Sequence, residues 1–211
     1  MTRLELFLIR HGESVTNTSK TPLADGGLTE RGRGQADAMA ACMAASGITR
    51  LFSSPLMRAV ETAQPLARQT QLPIEVWLDA HEVWTGEGYR GPTTEKLAEM
   101  YPEVVYPEGT ECDPLGWHCP GGETSETGFR RAERLLDRLR QQFTQGERVA
   151  LVAHGALNRR FMLAALGLDY SSSLRPYGDN CSIWWLGLGG SRVLIRYVGP
   201  AIPGLFDYIK P

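Results

Sequence analysis

The 211-residue sequence predicts an α/β fold built on a mostly parallel central sheet, and three features carry that prediction. Strand-like apolar runs alternate with helix-like periodic segments three times along the chain. The first run, Leu6 to Ile9, is continuously hydrophobic, as in a strand covered on both faces. Two such runs end in a histidine followed by glycine, Ile9-Arg10-His11-Gly12 and Val152-Ala153-His154-Gly155. In a parallel sheet those two ends arrive at the same edge, where open α/β sheets place their ligands. The expected architecture is three layers, with helices flanking the sheet and an inserted cap over the C-terminal strand ends. Residues 1–211 are expected to form one domain, with the cap at about residues 79–126.

After the first strand, Thr16 to Gly27 reads as a polar, Gly-rich connection. Thr29 is an N-cap for a helix from about Glu30 to Ser46, closed by Gly47, with Ala36, Met39, Ala40 and Met43 at core spacing. A short strand, Ile48 to Phe52, leads to Ser54 as N-cap and Pro55 as first residue of a second helix, ending near Gln69. Arg58 then lies in its first turn, beyond a strand end, where backbone N–H groups favour an anion. Ile74 to Leu78 is another short strand.

From Asp79 to Glu126 the sequence is rich in Gly, Pro, Trp and Tyr, and shows one clear helix, Thr94 to Tyr101. Between Glu82 and Glu126 it carries ten acidic residues against two basic ones, Arg90 and Lys96. So long an irregular stretch points to an insertion with a functional role. An amphipathic helix from about Ser125 to Phe143 comes next; Arg130, Arg131, Arg134 and Arg138 read as its solvated face. A strand, Arg148 to Ala153, and a helix, Ala156 to Gly167, succeed it. Cys181 to Leu188 and Arg192 to Val198 form an edge hairpin around Gly189-Gly190, which could pair across a homodimer.

Composition excludes several classes. Net charge is −2, which argues against a nucleic-acid surface, and no run approaches the length of a membrane span. Glu5 and Arg10 interrupt the N-terminal apolar run, so it reads as a working strand and not as a signal peptide. Four cysteines in a chain of this length suggest reduced thiols and a cytoplasmic location. Cys112, His118 and Cys119 lack a fourth ligand at the usual zinc spacing, and no metal is expected.

Two histidines and two arginines at one sheet edge make a site for a dianion, with an imidazole nitrogen available as nucleophile. The residues around them fall into a pattern. Arg10-His11-Gly12-Glu13-Ser14-x-x-Asn17, Leu28-Thr29-x-x-Gly32-x-x-Gln35-Ala36, Ser53-Ser54-Pro55-x-x-Arg58-Ala59-x-x-Thr62-Ala63 and Val152-x-His154-Gly155 resemble, in order and spacing, the motifs of the histidine phosphatase superfamily. The similarity is to the branch that holds cofactor-dependent phosphoglycerate mutases and their phosphatase relatives. It covers residue 4 to about 165 and includes Gly121-Gly122-Glu123, similar to a family motif before a helix.

The resemblance implies that His11 is the nucleophile and becomes phosphohistidine. Arg10, Arg58 and His154 would bind the phosphoryl oxygens and stabilise their charge, with Asn17, Thr21 and Gly155 adding to the substrate-binding set. No metal or other cofactor is implied, since side-chain cations carry that role. The general acid would be a glutamate after the third strand: Glu82 matches best, with Glu87 as competitor. His81 would be a neighbour or a substrate contact.

The acid-phosphatase branch has an aspartate after the second histidine, where this chain has Gly155, and is disfavoured. True mutases carry an Asn where this chain has Ala156, and a basic clamping set that is missing from its acidic cap. The implied activity is phosphomonoester hydrolysis on a small phosphorylated substrate. Mutase-type phosphoryl transfer and non-catalytic binding of a phospho-ligand are the alternatives. The aromatic residues of the cap would either meet a ring-bearing leaving group or pack the insertion.

Overall fold

The computed structural model describes residues 4–19, 25–111, 113–176, 178–190 and 192–208. Strand β1 (Leu4–Arg10) leads into a short helix α1 (Val15–Thr18), then α2 (Glu30–Met43), β2 (Arg50–Ser53) and α3 (Met57–Thr70). After β3 (Ile74–Val76) a single 3-10 turn (Leu78–Ala80) opens the cap, which holds β4 (Glu87–Arg90), α4 (Thr94–Met100), β5 (Val104–Val105) and β6 (His118–Gly121). Then come α5 (Ser125–Gln142), β7 (Glu147–Ala153), α6 (Gly155–Ala165), β8 (Ile183–Gly189), β9 (Arg192–Gly199) and α7 (Leu205–Tyr208).

Seven strands form the central sheet in the order β5-β3-β2-β7-β1-β8-β9. The first five are mutually parallel, and β8 and β9 run antiparallel at one side. Register brings Arg10 beside Ala153, and Ser53 beside both Val152 and Val76. The residues just past these strands therefore meet at one edge.

Alternation along β1 builds the three layers. Leu4, Leu6 and Leu8 pack against α5 and α6 through Leu135, Leu139, Leu157 and Phe161. Phe7 and Ile9 face α2 and α3 through Met39, Met43, Ala59 and Ala63. Each such aliphatic or aromatic burial contributes about 1.5–3 kcal/mol. Glu5 breaks the pattern inside the second layer, where Arg196 of β9 and the Trp185 indole N–H bind its carboxylate.

The structure departs from the sequence expectation at the ends of α2 and β3, which stop at Met43 and Val76, at the start of α3, and in the cap. Helix α3 starts at Met57, capped by Leu56, two residues later than Ser54-Pro55 suggests. The Ser54 hydroxyl accepts from Leu56 N and is bonded to the His154 ring, so the site and not the helix determines its position. The cap holds more than one helix: β4 and β6 form a two-stranded antiparallel sheet, and β5 adds a strand to the central sheet. Gly88, Pro120 and Gly121 leave β4 and β6 without an alternating apolar signature, which hides them from a sequence reading. Trp117 and Cys119 pack on Leu56, just past the end of β2, so the cap lies over the C-terminal strand ends as expected.

Candidate active site

His11 sits immediately after the last residue of β1 and is 3% exposed. Its Nδ1 lies 2.7 Å from the carbonyl oxygen of Gly12. A carbonyl only accepts, so Nδ1 carries the proton and the lone pair is on Nε2. Burial, then the Arg58 guanidinium, then Arg10, push the imidazole down to about 3 against the opposing pull of the Gly12 hydrogen bond. The ring is therefore neutral at physiological pH.

The main chain around His11 is fixed from three sides. His11 N donates to Ala153 O of β7, and the Asn180 side chain donates to His11 O at 2.8 Å. Gly12 N donates to Thr62 Oγ1 at 2.9 Å, and that hydroxyl donates to Arg58 O at 2.6 Å. Two glycines permit the close packing: a Cβ on Gly12 would lie 2.6 Å from Gly32 O, and one on Gly32 would overlap the Glu13 carbonyl oxygen.

The structure gathers the other cations and the second imidazole here. The Arg10 side chain is held through Nη1 on Gly178 O at 2.8 Å, and Gly155 lies against it. Arg58 is buried in the first turn of α3; burial lowers its proton affinity, while the nearby Asp25, Glu82 and Tyr89 raise it. His154, fully buried at the start of α6, has its ring centroid 5.1 Å from that of His11. Its Nε2 is 2.7 Å from Ser54 Oγ, and its Nδ1 has no hydrogen-bond partner among the described residues. Burial, then Arg58 and His11, hold His154 well below the usual imidazole range. Glu82 enters from the cap. Its Oε1 accepts from Val83 N and Leu157 N, and its Oε2 from Ala156 N, which places the carboxylate over the N-terminus of α6.

The model of the histidine phosphatase superfamily (branch 1) matches residues 6–199. The chain belongs to that superfamily. It is 33% identical over 174 residues to the chicken (Gallus gallus) 6-phosphofructo-2-kinase/fructose-2,6-bisphosphatase, a match covering 82% of this chain and 34% of that protein. The chain thus spans about a third of that relative's length. It is also 29% identical to phosphoserine phosphatase 1 of Hydrogenobacter thermophilus, over 85% of this chain and 84% of the relative. Among solved structures, the mycobacterial glucosyl-3-phosphoglycerate phosphatase in its complexes with VO3 superposes with a TM-score of 0.70 at 27% identity, covering 94% of this chain and 99% of that one.

Not every residue expected at this candidate site is engaged alike. Asn17 is exposed on α1, and its amide oxygen accepts from Ser14 N and Oγ, so its amide N–H groups are what it can offer a ligand. Thr21 and Cys112 lie outside the described residues. Glu87 is exposed at the start of β4, whereas the Glu82 carboxylate reaches α6. His81 is buried, with Nδ1 bonded to Glu82 O and its ring stacked on Trp117. One expectation is corrected. Arg131 is not on a solvated face but 4% exposed, in a salt bridge with Glu123. Its i+4 relation to Leu135 places it beside the apolar stripe, which is the available signal.

Three further contributors are not evident from the sequence motifs. Asp25 accepts from Met57 N at 2.8 Å, and burial pushes its carboxyl up to about 6. Tyr89 reaches from β4 toward Arg58 and Asp25, and burial raises its phenol well above the usual range. Asn180 precedes β8. An antiparallel strand begins at the edge where its parallel neighbour ends, and that rule is enough to locate it.

Proposed function

We propose that this chain hydrolyses phosphomonoesters through a covalent phosphohistidine on His11, without a metal ion. One observation carries the reading: a buried neutral imidazole, its tautomer fixed by Gly12 O, stands among Arg10, Arg58 and His154. Nε2 attacks phosphorus in line, a P–N bond forms, and the ester P–O bond breaks. Glu82, protonated at that stage, gives its proton to the leaving oxygen. Water then attacks the phosphohistidine, Glu82 takes a proton from it, the P–N bond breaks, and inorganic phosphate leaves with His11 restored. The guanidiniums of Arg10 and Arg58 and the His154 ring meet the charge on the equatorial oxygens, the role that metal ions hold in other phosphoryl transferases. Asn17, Thr21 and Gly155 complete the binding set in this reading. The relatives support hydrolysis: two are named as phosphatases, and the name of the third, of which this chain matches about a third, joins a kinase to a bisphosphatase.

A panel of phosphate esters assayed for free phosphate tests this, with phosphoglycerate isomerisation run alongside. Phosphate release that vanishes in His11→Ala and is greatly slowed in His154→Ala is the expected result. Isomerisation without phosphate release, or full activity of the His11 variant, would overturn it.

A further inference from the structure

We infer that Arg131 and Glu123 are positioning residues for the proton-donating carboxylate, acting through the chain segment that carries Glu82. The inference rests on the catalytic role proposed for Glu82.

All five guanidinium N–H groups of Arg131 can be placed. Nε and Nη2 grip the two carboxylate oxygens of Glu123 at 2.8 and 2.7 Å. Nη1 donates to Asp79 O at 2.6 Å and to His81 O at 2.8 Å, and Nη2 also approaches Glu82 O at 3.5 Å. Glu123 ties the far side of the segment. Its Oε2 accepts from Trp84 N, and its own N–H donates to Trp84 O at 2.9 Å. The backbone is thus clamped before and after Glu82, while the Glu82 side chain points away to Ala156 N and Leu157 N beside His154.

This is more hardware than cap stability requires. A buried ion pair is weak evidence for stability, because apolar side chains of the same volume often do as well. The fork binds backbone carbonyls in a stretch with one short 3-10 turn, and what it supplies there is a fixed origin for the carboxylate. Transfer of a proton to the leaving oxygen is sensitive to about 1 Å of displacement, worth about 100-fold in rate. The clamp therefore matters most for substrates that need the proton.

The test compares an aryl ester with a good leaving group, 4-nitrophenyl phosphate, and an alkyl ester, glycerol phosphate, in wild type, R131M, R131K, E123Q, E82Q and R131M/E82Q. E82Q sets the scale by slowing the alkyl ester far more than the aryl one. The expected result is that R131M lowers kcat for the alkyl ester by about 10- to 100-fold and for the aryl ester far less, with KM little changed. R131K is intermediate, and R131M adds nothing to E82Q. Should R131M fail to fold, E123Q, which keeps the shape and one acceptor, carries the same comparison. Equal losses on both esters, or losses that add to those of E82Q, would reduce the clamp to a structural role and overturn the inference while leaving Glu82 as the acid. An E82Q variant that treats both esters alike would remove the acid and the clamp's role together. His11-dependent phosphate release would still stand.

Discussion

Asp25→Asn should be more favourable to stability at neutral than at acid pH, and the structure gives the size of that difference. Asp25 Oδ1 accepts from Met57 N, while Oδ2 is buried without a hydrogen-bond partner among the described residues. Burial is the main cause that raises its carboxyl from 3.8 to about 6, with Glu61 adding to it; the Met57 N–H and Arg58 oppose the rise without cancelling it. With the folded value above the unfolded one, the native state binds more protons between those two values. Stability is then highest below pH 3.8, falls as pH rises, and reaches its floor above 6. At about 1.4 kcal/mol per pH unit, ionised Asp25 costs about 3 kcal/mol at pH 7 and less than about 1 kcal/mol at pH 4. Asparagine keeps the acceptor for Met57 N and carries no charge. The asparagine NH2 takes the buried place of Oδ2, a cost that does not vary with pH, so isothermal denaturation should show the substitution to be about 2 kcal/mol more favourable at pH 7 than at pH 4. An effect of equal size at both pH values would refute the buried charge and assign the change to packing.

Gly32→Ala should destabilise by about 1–3 kcal/mol and lower kcat, because its Cβ would overlap the Glu13 carbonyl and shift the His11 loop; a melting curve and a kcat measurement check both parts. Thr62→Val leaves Gly12 N buried without its acceptor and should cost about 1–3 kcal/mol, while Thr62→Ser should restore most of it in the same denaturation assay. His11 titrates at about 3 in the fold against 6.5 unfolded, so the unfolded chain takes up the proton first as pH falls. Stability from this residue is full above 6.5 and is lost toward 3, about 2 kcal/mol of it by pH 5. His11→Asn should lack that loss, which unfolding free energies at pH 7 and 5 would show.

The apolar runs and the two His-Gly steps are enough to predict a parallel sheet whose strand ends gather Arg10, His11, Arg58 and His154. Those groups are legible because the position of a residue just past a buried strand is set by periodicity alone. Asp25 is not legible, because it enters the site from an irregular segment whose path depends on tertiary contacts, whereas Asn180 can be located only once β8 is known to run antiparallel to β1. The cap is the hardest part. Glu82 is identifiable only by its place after β3. Arg131 is hard to single out because its only sequence signal, the i+4 relation to Leu135, says that it borders the apolar stripe and not that it binds carbonyls. The hydrogen bond from His11 Nδ1 to its own neighbour's carbonyl recurs at His81 with Glu82 O, and both are main-chain geometries that side-chain patterns do not reveal.

The same electrostatics bear on both halves of the proposed reaction. Burial first, and then Arg58 and Arg10, which also attract a phosphoryl dianion, lower the proton affinity of His11, so the nucleophile keeps its lone pair where an ordinary histidine would be partly protonated. Asp25 and Glu82 act on Arg58 and help it retain its proton in spite of burial. A weakly basic imidazole is a poorer nucleophile but a better leaving group. Binding the dianion offsets the cation part of that effect during attack, which raises the basicity of Nε2 when it must form the P–N bond. As phosphate detaches from His11 in the second step, the imidazole returns to the full field of Arg58 and Arg10, which favours its departure as the neutral ring. The cations therefore serve attack by binding substrate and serve hydrolysis by adding to the burial that keeps His11 weakly basic.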